Sequence, residues 1–432
     1  MRRPVDRKAT QMESLEKAGL AVNYNKVKST KPKSLPRKVY IWDETLRDGE
    51  QTPGVALTVD EKIEIAKMLD EVGVSIVVVG YPAVSEAEKR SVAAIVREGL
   101  SHAMIGAPAR AVISDIDACI ETDVKEVPVF LATSDFRLKY QLRMSREELL
   151  ERLSQCIEYA CEHGLTVDYI AEDSTRSDMA FLCEAYRTAI DAGASKICIA
   201  DTVGFVRPEV MRLIVQQVKA GLWTKSKYKV PIAVHCHDDF GLATANTLTA
   251  IEEGATYPHV CVNAYGERAG NAALEEVVMA LEELYSVKTG ITTEKLYLLS
   301  RLVERHFRIP LPLHKAICGD NAFTHSSGIH SHGQLTHSMT YEPINPARVG
   351  RRREFHLGKF VGRRFIEYLL EMGGVSATPE QVKEIAERVK LSHEDQKKAQ
   401  SEETFTELKE GLRSLRTGVS ERQFWEIVFD VI

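Results

Sequence analysis

From Lys38 onward the chain repeats one pattern, a short run of β-branched and apolar residues followed by a longer stretch with apolar positions at helical spacing. Such alternation predicts βα units and a parallel sheet. Strands are expected at Val39–Trp42, Ser75–Val79, His102–Gly106, Glu126–Leu131, Thr166–Ile170, Lys196–Ala200, Ile232–His235 and His259–Val262. Two of the helices announce their starts with capping boxes, Thr58-Val59-Asp60-Glu61 and Ser145-Arg146-Glu147-Glu148, and end near Gly73 and at His163 before Gly164. The others are expected at Glu86–Glu98, around Ile113–Thr122, and at Met179–Ala192, Pro208–Ala220, Ala243–Glu253 and Ala272–Tyr285.

Eight consecutive βα units over roughly 250 residues have the size of a closed (β/α)8 TIM barrel, whose active site lies at the C-terminal ends of the strands. Polar residues collect there: Arg47 and Asp48 after the first strand, Thr133 and Ser134 after the fourth, Glu172 and Asp173 after the fifth, Asp201 and Thr202 after the sixth. His235 and His237 follow in the seventh unit, and Asn263, Glu267 and Asn271 in the eighth. An open doubly wound sheet would need a glycine-rich, phosphate-binding first turn, whereas Asp48-Gly49-Glu50-Gln51 is acidic. The fold class expected is therefore α/β, a barrel with a C-terminal helical lid and dimerisation region.

The pattern changes on either side of the barrel. Residues 1–37 form a basic arm (Arg2, Arg3, Arg7, Lys8, Lys17 and others) broken by Asp6, Glu13 and Glu16, with no apolar core of a secretory signal. Residues 38–288 make the barrel. Residues 289–432 are helical in period and interrupted by Pro310, Pro312, Pro343 and Pro346, and they end in the apolar patch Phe424-Trp425, Ile427-Val428-Phe429, which needs a partner surface and suggests a homodimer.

Composition narrows the function classes. A 432-residue chain with 44% hydrophobic residues can bury a full core, and a net charge of −6 gives no footprint for nucleic acid. No apolar run approaches the roughly 20 residues that cross a bilayer. Eight cysteines lie in apolar segments without a Cys-x-x-Cys, as buried thiols of a reducing, cytoplasmic compartment do. Within this frame Val234-His235-Cys236-His237-Asp238-Asp239-Phe240-Gly241 places two imidazoles at i and i+2, on one face of a strand. Together with Asp48 they offer two nitrogens and one carboxylate, leaving open positions on a divalent cation, as in a catalytic site. Taken alone, His-x-His is equally two histidines on a half-buried strand.

Three longer blocks carry a family resemblance. Asp43-Glu44-Thr45-Leu46-Arg47-Asp48-Gly49-Glu50-Gln51-Thr52-Pro53-Gly54, the His235–Gly241 block, and Asn263-Ala264-Tyr265-Gly266-Glu267-Arg268-Ala269-Gly270-Asn271 resemble, in order, the signatures of the metal-dependent barrel synthases that make 2-isopropylmalate and homocitrate. This DRE-TIM resemblance spans about residues 39 to 362. It implies a Claisen condensation of acetyl-CoA with a 2-oxo acid, one divalent cation (Mg, Mn or Zn) on Asp48, His235 and His237 with Asn271 in support, and Arg47 on the developing oxyanion. It also implies that Gln51 and Thr202 contact the oxo acid, and that Glu172, with His330 of His325-Ser326-Ser327-Gly328-Ile329-His330 and Tyr341, transfers protons. Each has a plainer reading: an ion pair of Arg47 to Asp48 or Glu172, helix caps for Asn271 and Thr202, a loop acid for Glu172, and a solvated histidine among His314, His332 and His337 for His330.

Departures from the family bear on substrate. Val78 stands where many relatives carry an acid, so a less polar pocket floor is expected, and Arg137 stands where isopropylmalate-forming relatives tend to carry histidine, so a distal anion on the oxo acid is expected. The strand-five arginine of homocitrate-forming relatives is absent, with Asp168 and Ile170 in that region, and Leu357-Gly358-Lys359-Phe360-Val361-Gly362 lacks the usual His-Ser. The stretch after Gly374 is shorter than the regulatory domain of leucine-inhibited synthases. The expected substrate is 2-oxoglutarate, with phosphonopyruvate or 2-oxoisovalerate as alternatives. A carbon–carbon lyase on the same barrel and an inactive metal-binding scaffold are the other classes.

Overall fold

A computed structural model describes residues 11–399 and 402–432. Its main sheet comprises β1 (Trp42–Asp43), β2 (Ile76–Val78), β3 (Met104–Gly106), β4 (Ala109–Arg110), β5 (Glu126–Ala132), β6 (Thr166–Glu172), β7 (Lys196–Asp201), β8 (Ile232–Cys236) and β9 (Tyr257–Val260). All the pairings are parallel. Because β1 bonds to both β2 and β9, and Gly106 of β3 pairs with Glu126 of β5, the sheet closes on itself and has no free edge. The fold is a (β/α)8 barrel followed by a helical C-terminal region.

Three strands differ from expectation: the eighth is β9, Tyr257–Val260 rather than His259–Val262, and the other two differ for local reasons. The third stave is split into β3 and β4, since Pro108 has no N–H to donate and the ladder resumes only where Ala109 pairs with Val129. At the first stave, Val39 and Tyr40 donate to the Lys288 and Thr256 carbonyls before regular pairing begins at Trp42. The helices start where their caps dictate: Val59–Val72 behind Thr58 and Arg146–Glu162 behind Ser145, each with both capping-box bonds formed. Gly73 ends the first of these at φ 102°, where a Cβ would lie 2.7 Å from the Gly290 carbonyl oxygen.

Alternate strand residues fill the barrel. Trp42, Ile76 and Val78 pack with Tyr257, while Ile170, Cys198, Ala200 and Ala233 pack with Phe130. The N-terminal ends of the strands carry a buried ion cluster, in which Lys196 Nζ lies 2.5 Å from Glu126 Oε1 and 2.9 Å from Asp168 Oδ1.

The chain divides into two compact units: Lys28–Thr292 with Leu298–Arg308, and Met1–Val27, Thr293–Tyr297 and Ile309–Ile432. Residues 1–10 of the basic arm lie outside the described residues. In the second unit β10 (Thr324–His325) pairs in parallel with β11 (Glu354–Phe355). Helices Arg363–Met372 and Pro379–Ala399 pack through Phe365, Ile366, Val382 and Ala386. Helix Glu421–Val431 leaves Phe424, Trp425, Ile427 and Phe429 exposed. No helix of the described residues is long and apolar enough to cross a membrane.

Candidate functional site

The i, i+2 spacing on β8 works as strand geometry requires. Ala233 faces the barrel interior, so His235 does too, and His237 follows one step beyond the strand. Asp48 arrives from the loop after β1. Its Oδ2 lies 3.9 Å from His235 Nε2 and 4.0 Å from His237 Nε2, and the two Nε2 atoms are 3.3 Å apart. Among the described residues this is the one group of three or more histidine, cysteine or acidic side chains close enough to share a cation.

Neighbouring loops hold the trio in place. Thr45 is pinned by both Asp43 oxygens and accepts from Val262 N, and Thr52 Oγ1 accepts from Gly266 N, which ties the first loop to the eighth. Asp48 Oδ1 accepts from Asn271 Nδ2 at 2.8 Å and Glu267 N at 3.2 Å, while Oδ2 accepts from Arg47 Nη1 at 3.0 Å. The glycines of the third block make this approach possible: at Gly266 a Cβ would sit 2.1 Å from Asn271 Nδ2, and at Gly270 1.8 Å from the Ala264 carbonyl oxygen.

Electrostatics set two of the three, Asp48 and His235, in the state that binds metal. Burial opposes ionisation of Asp48, but Arg47, the two histidines and the Asn271 amide outweigh it and keep the carboxylate charged. Burial, reinforced by His237, pushes His235 down to about 3, so its imidazole is neutral. His237 Nδ1 donates to the Gly270 carbonyl at 3.2 Å, which leaves its Nε2 lone pair facing the other two ligands. Asn271 Oδ1 is buried without a hydrogen-bond partner, an acceptor suited to water on a cation. Ligand atoms about 2.1 Å from one divalent ion lie roughly 3–4 Å apart, so these residues fit such an ion.

A cavity of about 210 Å³ opens beside the trio, lined by Arg47, Asp48, Gln51, Arg137, Glu172, Thr202, His235 and His237, with Phe130, Ile170 and Ala200 as its apolar wall. Arg47 spans Asp48 and Glu44, the latter at 3.7 Å, and its Nε has no partner. Arg137 Nη1 lies 3.4 Å from Glu172 Oε1, and its Nε donates to Gln141 at 2.6 Å. Thr202 Oγ1 accepts from Asp173 N, and helix Pro208–Leu222 is capped at Arg207, so Thr202 is not its cap. Nor is Asn271 a cap, since helix Leu274–Glu283 begins behind Ala273. Val78 is buried in the barrel interior and Asp168 is engaged by Lys196; neither lines the cavity.

His330 and Tyr341 belong to the second unit and are brought together there. Their rings stack with centroids 4.0 Å apart and planes at 26°. His325 lies at 6.3 Å from His330, ring to ring.

Two residues in or beneath the site, Arg268 and His259, were not expected. Arg268, at φ 58°, holds Asp239 through Nε and Nη2 and donates to the Thr202 carbonyl, and with Glu267 it completes the rim. His259 pairs in register with His235 and stacks on Trp42 at 4.5 Å, fully buried without a hydrogen bond. Its only sequence signal was an alternation that puts it on the same face as Tyr257.

Comparison with known proteins places this geometry. Residues 38–303 match the family model described as HMGL-like, and residues 317–398 the one described as homocitrate synthase post-HMGL domain-like. Three proteins of Methanopyrus kandleri are similar to the chain at nearly the same level. A probable 2-isopropylmalate synthase is 52% identical over 82% of this chain and 70% of its own length, and a putative (R)-citramalate synthase 49% over 82% and 69%. A homocitrate synthase is 49% identical over 82% and 88%. The solved hydroxymethylglutaryl-CoA lyase of Pseudomonas aeruginosa shares the fold, with a TM-score of 0.56 at 24% identity over 63% of this chain and 94% of its own. The chain therefore belongs to the HMGL-like, DRE-TIM family, among its isopropylmalate, homocitrate and citramalate synthases.

Proposed function

We propose that the chain condenses acetyl-CoA with a 2-oxo acid that carries a distal anionic group, in the manner of a homocitrate synthase, and releases CoA. The observation that carries this reading is the shared cavity, where the Asp48, His235 and His237 cluster, the guanidinium groups of Arg47, Arg137 and Arg268 and the carboxylates of Glu172 and Glu267 surround about 210 Å³. A divalent cation held by the trio would supply Lewis-acid polarisation of the ketone. Arg47 stabilises the oxygen that becomes an alkoxide. Gln51 and Thr202 orient the oxo acid. The thioester methyl gives up a proton, with Glu172, His330 and Tyr341 assigned to proton transfer, its carbon bonds to the ketone carbon, and the alkoxide takes up a proton. Water then cleaves the thioester to a carboxylate and the CoA thiol.

None of the eight cysteines lines the cavity, which favours a synthase over an acyl-CoA lyase with a loop cysteine. The anionic end of the substrate falls to Arg137, since a guanidinium pairs with a carboxylate or a phosphonate alike. The apolar wall of Phe130, Ile170 and Ala200 supports 2-oxoisovalerate as the second reading. A homodimer and a cytoplasmic location complete the proposal, supported by the exposed Phe424, Trp425, Ile427 and Phe429 and by eight cysteines that form no disulfide. Free CoA release from acetyl-CoA, measured across 2-oxoglutarate, phosphonopyruvate, pyruvate and 2-oxoisovalerate, is the test. Arg137→Leu is expected to raise KM for the anionic acid by about tenfold or more. Unchanged KM, or turnover with 2-oxoisovalerate alone, would remove Arg137 and the anion from the proposal.

A further inference from the structure

Directly after Tyr341 comes a buried carboxylate that no step above uses. The Glu342 side chain is 2% exposed and is gripped by Arg353, with Nε 2.5 Å from Oε1 and Nη2 2.6 Å from Oε2. His325 Nε2 lies 3.4 Å from the same Oε1. Two short strands fix these partners: His325 ends β10 and is in register with Phe355 of β11, Arg353 immediately precedes β11, and His356 N donates to the His325 carbonyl at 2.8 Å. On the other side, the Tyr341 ring lies on His330 so closely that a Cβ at Gly333 would meet Tyr341 Cε2 at 2.7 Å. The helix carrying His330 begins at Gly328, packed so tightly on Gly362 that a Cβ would fall 2.7 Å from its Cα.

Burying a carboxylate is costly, and apolar packing of similar volume often stabilises as well as an ion pair does. What a bidentate guanidinium–carboxylate pair adds is a fixed direction, because the two parallel bonds define a plane. Tyr341 and Glu342 are adjacent in the chain, so fixing the carboxylate fixes the turn from which the tyrosine ring projects. We propose that Glu342, clamped by Arg353, is a positioning residue that holds the His330–Tyr341 stack in register for proton transfer. This rests on the reading of His330 and Tyr341 as proton-transfer groups.

The test compares Glu342→Gln, Arg353→Lys and Arg353→Met with the unaltered enzyme and with His330→Ala, using acetyl-CoA and its trideuterated methyl form. Glu342→Gln and Arg353→Met are expected to lower kcat by roughly tenfold to a hundredfold, the cost of about 1 Å of misplacement. KM for the oxo acid should stay the same, and the isotope effect on kcat should rise as methyl deprotonation becomes limiting. Arg353→Lys, which keeps the charge but loses the fork, should fall between. A loss of kcat with an unchanged isotope effect, or no loss, would overturn the inference. If His330→Ala turns over normally, it is the proton-transfer reading itself that fails. Should Glu342→Gln not fold, the two Arg353 variants decide on the same criteria.

Discussion

The two ends of the barrel both bury charge, and they handle it in opposite ways. At the N-terminal end Lys196 Nζ lies within 3 Å of the Glu126 and Asp168 carboxyl groups, each of which keeps its other oxygen buried without a hydrogen-bond partner. At the C-terminal end Asp48, His235 and His237 face one another across 3.3–4.0 Å, with Arg47 Nε and Asn271 Oδ1 left without partners. The lower cluster holds its own cation, Lys196, whereas the upper trio has none among its members. Both are built from the same staves: β7 supplies Lys196 at its start and, at its end, leads to Thr202. A parallel barrel thus separates a buried ion cluster from the candidate site along the length of a single strand.

Removing one residue at each end should separate these roles. His235→Ala takes away an imidazole of the candidate metal site that is already neutral and costly to charge. It should lower kcat/KM by roughly a thousandfold or more, about 4 kcal/mol of transition-state stabilisation, and abolish divalent-metal binding by titration calorimetry. The thermal midpoint of the metal-stripped protein should hardly move; a large fall would make the upper cluster structural. Lys196→Met should do the reverse. It leaves two buried carboxyl groups without their cation and should destabilise folding by about 3–5 kcal/mol in denaturant titration, while kcat at a permissive temperature stays near that of the parent. Loss of activity without loss of stability would show that the two ends are not independent.

The sequence reveals the upper end more readily than the lower. His-x-His on a strand and an Asp-Gly turn after another can be read locally, and barrel topology then brings them together. The lower cluster joins Glu126, Asp168 and Lys196, which lie on three strands and look, one at a time, like ordinary strand-end charges. Only the register that pairs Asp168 with Lys196 puts them in contact. Asp168 drew attention as the place of a missing arginine, yet it faces downward to Lys196, and Ile170, one inward step above, reaches the cavity. Helix starts were legible because capping boxes are local. The split at Pro108 was not, because its effect depends on which neighbour would have accepted the missing N–H. Arg268 and Glu342 were hidden for a similar reason: a positive φ and a bidentate partner eleven residues away leave no periodic trace.

The lower cluster also makes a pH signature that the upper one does not share. Burial, and then the neighbouring Asp168, push the Glu126 carboxyl up to about 9 from an ordinary value of 4.5. Between those values the folded chain holds a proton on Glu126 that the unfolded chain has released, so the stability it contributes is full below pH 4.5 and is lost as pH rises towards 9. One proton gives a slope of at most about 1.4 kcal/mol per pH unit. Glu126→Gln removes the titration while keeping the shape of the side chain. Thermal midpoints across pH 6 to 9.5 should therefore fall for the parent more steeply than for the variant, and the difference between them should narrow or change sign near pH 9. Other buried acids with raised values, such as Asp43 and Glu44, tilt both curves alike and cancel in that difference. Parallel curves would mean that Lys196 already holds both carboxylates ionised, and that the lower end is an ordinary salt bridge with no proton to release.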